Sequence, residues 1–336
     1  MKKIVKMSFM DQRGYVLSGF TFLLMIPAIL IIAAFADMGR TGGESVSAVL
    51  QSDTTFYAVN DVEKNVAIIA TDVLRETADN ITLTGIPLTD SRSTLKYSLQ
   101  TKINDFTENY AENIGADEVT CTILKVDSAP DPFKIEIKFE IHVKKGKTAH
   151  NETINQFIDI NDKQVPDPMP FIKLKAFGIP KRDNNNGLIV YGSSLSDFLS
   201  FRGLENAEIY NGSTSPLFIK KCPYDPYVSH GNGNSFTVLK NCIFNKYFHE
   251  SSDGSCFMCK LEGKATCSHY GIETFIIPPI SPNSSQIKAP CSSDHVIFNE
   301  STYLGTELEY YCEANNHYML FLDDGHRQKY GLPKYG

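Results

Sequence analysis

From Tyr15 to Ala36 the chain carries 22 residues without a charge, YVLSGFTFLLMIPAILIIAAFA, and ordered alternation of apolar and polar positions begins only beyond them. As a helix, such a run crosses a hydrocarbon core of about 30 Å. Pro27 is no obstacle, because neighbouring groups re-satisfy a freed carbonyl inside a membrane helix. Met38 to Gly43, with three glycines, predicts a break. Phe56, Val59, Val62, Val66, Ile69 and Val73 then recur at steps of three and four, which predicts an amphipathic helix from about Glu44 to Asp79. Such a helix either continues from the membrane as a stalk or packs on its own head domain. Leu95, Leu99, Ile103, Phe106 and Tyr110 form a second stripe, with Asp90 or Ser91 placed to cap its start and Gly115 its end. The period next falls to two. Phe133, Ile135, Ile137, Phe139, Ile141 and Val143 alternate with charged residues and His142, the pattern of a strand with one buried face. With Glu118–Val126 before it and Thr153–Ile160 after it, this predicts an antiparallel meander packed on the two helices.

Val165-Pro166-Asp167-Pro168-Met169-Pro170 interrupts the pattern, since closely spaced prolines cannot continue a ladder. Beyond it short apolar runs such as Leu188–Tyr191 and Phe275–Ile277 alternate with Asn, Gly, Ser and Pro, and only Ser194–Phe201 suggests a helix. The expected fold is therefore α+β: a leader at 1–14, a transmembrane helix at 15–36, a helical stalk with an α+β domain at 37–165, and a cysteine-rich strand-and-loop domain at 166–336.

Charge orients this arrangement. The leader carries Lys2, Lys3, Lys6 and Arg13 against Asp11, a net +3; with −7 for the whole chain, −10 remains for the rest. The positive-inside rule then places the N-terminus in the cytoplasm and the bulk outside. An acidic bulk also argues against a nucleic-acid partner. Two fates of the apolar stretch fit the residues themselves: an anchor, or cleavage at Ala34-Phe35-Ala36 as a secretory signal. Asp11-Gln12-Arg13-Gly14-Tyr15-Val16-Leu17, a charged leader ending in Arg-Gly and running straight into an apolar helix, resembles the class III signal of archaeal type IV pilin-like proteins. That resemblance implies cleavage after Gly14 by a prepilin peptidase, an N-terminal membrane helix with a head outside the cell, and pilin-like subunits as partners beside membrane lipid. The family's frequent acidic residue five positions into the mature chain is Gly19 here, which weighs against a filament and leaves anchoring intact. The texture of Asp167–Phe171 and Lys221–Pro226 is also similar to that of surface proteins of methanogenic archaea, which names no activity.

Seven of the eight cysteines fall in the second half: Cys222, Cys242, Cys256, Cys259, Cys267, Cys291 and Cys312. Outside a cell, such a set reads first as a disulfide framework for a loop-rich domain. Cys121, at strand spacing between Val119 and Ile123, reads as a buried core thiol or as a partner across the two domains. Metal is the sharper alternative. Cys256-x-x-Cys259 followed by Cys267-x-His269 offers four ligands soft enough for a structural tetrahedral zinc, with His230 and His249 nearby in sequence. A redox use lacks a thioredoxin-like context.

No G-x-S-x-G elbow, Walker loop, H-E-x-x-H or Rossmann fingerprint is present. Gly231–Asn234, Asp323–His326 and Asp294-His295 read as polar turns rather than sites. Sequons at Asn80, Asn151, Asn211, Asn283 and Asn299 all follow the apolar segment and suit an exterior glycoprotein. The expectation is a non-enzymatic, membrane-anchored surface protein for adhesion, envelope contact or pilus-related assembly. The rival is an anchored or secreted metal- or thiol-dependent enzyme using Cys256, Cys259, Cys267 and His269, with His230 or His326 beside them in a pocket.

Overall fold

The computed structural model describes residues 13–225, 230, 235–279, 290–299, 310–315 and 318–331. The leader as far as Gln12, the Gly231–Asn234 turn, the Asn283 sequon and the Cys312 side chain lie outside the described residues. A single helix, α1 (Arg13–Thr84), takes up 72 residues, about 108 Å at 1.5 Å per residue. The expected break at Met38–Gly43 is not there. A Cβ on Gly39, Gly42 or Gly43 would meet nothing within 4 Å, so no neighbour bends the chain. A glycine costs about 1 kcal/mol inside a helix, and propagation from both flanks carries the helix through.

Leu23–Arg40 is apolar enough to cross a membrane or to act as a signal, and its large side chains, Leu24, Ile29 and Ile32 among them, are exposed. Burial begins at Thr55. From there Ala58, Val59, Val62, Val66, Ala70, Val73, Leu74, Ala78 and Ile81 turn one face inward; Phe56, expected on that stripe, is 56% exposed. Helix α1 thus joins both arrangements expected of it, continuing from the apolar stretch and packing on the head.

Helix α2 (Ser91–Ile114) has the predicted ends. Asp90 accepts a hydrogen bond from the Ser93 amide, and Gly115 closes the helix at φ 59°, a left-handed conformation that costs glycine nothing. Both helices cover the antiparallel sheet β1 (Glu118–Ser128), β2 (Lys134–Lys145), β3 (Thr148–Asp159). Ile137 pairs with Gln156 and Phe139 with Ile154, and the alternating apolar side chains of β2 are buried as the period of two requires. Cys121 lies in this core, and burial pushes its thiol up to about 12.

The second half is a mosaic of short elements. After α3 (Met169–Lys173), strands β4 (Lys181–Asp183), β5 (Leu188–Val190) and β6 (Thr214–Pro216) form one antiparallel sheet. Helix α4 (Ser194–Phe201) falls where predicted and centres a second core with Phe171, Tyr210 and Phe298. Helix content exceeds the expectation. Helix α5 (Ser235–Phe244) and the short α6 (Phe257–Leu261) and α7 (Asp294–Phe298) frame β7 (His249–Ser251), β8 (Gly271–Glu273), β9 (Phe275–Ile276) and β10 (Pro290–Ser293). Two further strands, β11 (Tyr310–Asn315) and β12 (Tyr318–Asp323), complete a sheet with β10 and β9. The terminal helix Asp324–Lys329 follows, so Asp323–His326 is a helix start and not a turn. Asp294-His295 likewise opens α7.

Candidate metal centre

Helix α6 is the hinge between the two halves. Its Phe257, Met258 and Leu261, with Cys256 and Cys259, are buried in the same core as α1, α2 and the β1–β3 sheet. The Leu261 carbonyl accepts from the Leu88 amide, and Glu262 accepts from both the amide and the hydroxyl of Ser91, capping α2 from outside. Lys260, fully buried, pairs with Asp167 at 3.0 Å and with Asp294. This triad ties α6 to the proline-rich connection and to α7. Burial raises the Asp167 carboxyl, while Lys260, despite burial, is held protonated by the two aspartates.

The four residues singled out by spacing converge on this hinge. One ligand atom from each of Cys256, Cys259, Cys267 and His269 lies within 4.8 Å of every other. His269 Nδ1 stands 3.7 Å from both Cys256 Sγ and Cys259 Sγ. A zinc ion with Zn–S of about 2.3 Å and Zn–N of about 2.1 Å has tetrahedral S–N edges of about 3.6 Å, so both separations fit. Gly271 makes the approach possible: a Cβ there would sit 2.6 Å from the Ser255 carbonyl carbon, next to Cys256. Hydrogen bonds from Cys256 and Cys259 draw the Cys267 thiol far down, and Cys259, the donor in such contacts, is pushed up.

Two neighbours that spacing did not reveal complete the surroundings. The Ser128 hydroxyl of β1 donates to Cys256 Sγ at 3.2 Å. Arg92, in the first turn of α2, binds Asp127 at 2.8 Å and lies 3.4 Å from His269 Nε2. Three thiolates around a divalent ion would leave a net charge of −1 beside Arg92. With metal at Nδ1 the ring proton would stand on Nε2, where Arg92 would no longer donate, while its bond to Asp127 would remain.

His230 and His326 do not join this group. His230 and His249 meet Cys222 and Cys242 in a separate buried set, and His326 meets Asp253 and His295 in a third. The third reads as an ion-pair network around the buried Glu273. Glu273 Oε2 accepts from Lys329 at 2.7 Å and contacts His326 at 3.2 Å, while Oε1 accepts from the Tyr330 hydroxyl at 2.7 Å. Lys329 also reaches Asp253 at 2.6 Å. A 260 Å³ cleft, bordered by Arg75, Asp79, Gln164, Arg182, Asn184 and Phe218, contains no member of the three sets.

Of the seven described cysteines, Cys121, Cys222, Cys242, Cys256, Cys259 and Cys267 are free thiols, so the expected disulfide framework is not seen among them. Five of the seven converge with histidines instead. Buried Cys and His clusters of this kind could bind a metal such as zinc. Comparison with protein-family models, curated proteins and solved structures returns no match to the chain.

Proposed function

We propose that the chain is a membrane-anchored surface protein without catalytic activity, pilin-like at its N-terminus. Its head is fastened by a structural zinc at Cys256, Cys259, Cys267 and His269 and presents polar loops outside the cell for adhesion or envelope contact. The observation that carries the reading is α1, whose exposed apolar segment continues without interruption into a face buried in the head. A tether joined rigidly to its head suits a surface protein better than a released enzyme. The four-ligand arrangement supports the non-catalytic side of the reading, because structural zinc sites use all four positions whereas catalytic ones keep a position open. The leader's charge and the acidic remainder support an outward-facing head. Membrane lipid is the first partner; a prepilin peptidase and pilin-like subunits are the partners the leader suggests.

The test is topological. Membranes from expressing cells are washed with alkaline carbonate, and intact cells are treated with protease. The protein stays in the membrane pellet and loses its head to external protease. Release by carbonate, or a head cleaved only after lysis, contradicts the proposal.

A further inference from the structure

We infer that Cys222, His230, Cys242 and His249 form a second closed metal centre, one zinc ion held by two thiolates and two imidazoles. The inference stands independently of the first centre. The ligands come from four places: the segment after β6, residue 230, α5 and the start of β7. His230 Nε2 lies 3.5 Å from Cys222 Sγ and 3.3 Å from Cys242 Sγ, near the tetrahedral S–N edge of about 3.6 Å. The two sulfurs are 3.1 Å apart, inside the thiolate–thiolate edge of about 3.8 Å that the same bond lengths give. They are also about 1 Å beyond an S–S bond of about 2.05 Å. Small outward movement of the sulfurs completes the tetrahedron.

The second observation is His249 itself. Its ring is fully buried, and neither nitrogen makes a hydrogen bond that meets ordinary geometry. An orphaned buried polar group costs about 1–3 kcal/mol, and a metal ion in this cage gives one of the nitrogens its partner. Joining Cys222 to Cys242 would require an oxidant and leave His249 as it stands.

Charge explains why this centre tolerates complete burial. Zinc displaces the two thiol protons, and two thiolates then balance the divalent ion, so the centre is neutral. It sits against aromatic walls, with Tyr330 5.3 Å from His230 and 5.2 Å from His249 between ring centroids, and Phe275 5.9 Å from His249. No counter-ion of the Arg92 kind is needed. The first centre, anionic by composition, has its histidine exposed and an arginine beside it.

The test counts metal. Full-length protein purified in detergent from zinc-replete cells is assayed for zinc per chain, with disulfides mapped by mass spectrometry of alkylated peptides. Wild type should hold about two zinc ions. His249→Ala and Cys242→Ser should each reduce this to about one, and Cys259→Ser should do the same through the first centre. Cobalt substitution of the Cys259→Ser protein should give the weaker thiolate-to-metal absorption of a two-sulfur site. One zinc per wild-type chain, lost only in Cys259→Ser, overturns the inference and leaves the first centre standing. One zinc lost only in His249→Ala and Cys242→Ser supports it and removes the first centre. A mapped Cys222–Cys242 disulfide, or no zinc in wild type, overturns it even where a variant fails to fold.

Discussion

Charged side chains with few hydrogen-bonding options carry the sharpest consequences at the residue scale. Lys260 is buried between two aspartates, and Lys260→Ala leaves two carboxylates without a cation. A loss of about 3–5 kcal/mol is expected in denaturant unfolding; a loss under 1 kcal/mol contradicts the triad. Arg92→Ala removes the charge that offsets three thiolates, and chelator competition should show zinc affinity at the first centre falling about 10-fold or more. Unchanged affinity refutes that role. For Glu273, burial alone would raise the carboxyl, yet His326, Lys329 and His295 hold it well below its ordinary 4.5. A depressed folded-state value means that the contribution is complete above about pH 4.5 and is lost as pH falls through the folded value. The stability gap between wild type and Glu273→Gln, measured with metal chelated in both, should be widest near neutrality and close in acid. A gap independent of pH contradicts the network. Cys256, Cys259, Cys267 and His269 were legible in the sequence because they fall within 14 residues at ligand spacing. Cys222, His230, Cys242 and His249 were not, because each comes from a different stretch and their spacing matches no local motif.

Periodicity foretold the elements of the first half and missed many in the second, for a physical reason. Helix α2 and strand β2 each bury one regular face in one core, so the stripe in the sequence is the contact surface in space. Helix α5, ten residues long, buries Leu239 and Ile243 in a small core shared with Phe275 and Tyr330. Fewer than three turns give too few repeats to distinguish its pattern from a loop with apolar residues. The glycines of Met38–Gly43 misled in the opposite direction, because glycine weakens a helix without ending one when both flanks propagate. Spin labels at Ala34 and Asp53 in bilayer-reconstituted protein should give one narrow distance near 28 Å, the rise of about 1.5 Å per residue over the interval. A broad distribution of shorter distances means that the chain breaks there.

For the whole molecule, alternation and helical stripes disclosed a mixed helix and antiparallel-sheet head behind one apolar helix. They could not disclose that α6, late in the chain, packs into the first core. With metal bound as proposed, that long-range contact would make the centre on α6 a fastener between distant parts of the sequence rather than a local knot. On the proposed reading the chain is held in the membrane, and Cys222, Cys242, Cys256, Cys259 and Cys267 pin its second half through metal rather than as disulfides. Native mass spectrometry of the protein released from membranes by detergent reads both parts at once. The predicted result is a chain retaining Tyr15–Ala36, starting at Met1 or Tyr15, with zinc bound. A chain beginning after Ala36, or one without metal and lighter by the hydrogens of paired thiols, would contradict it.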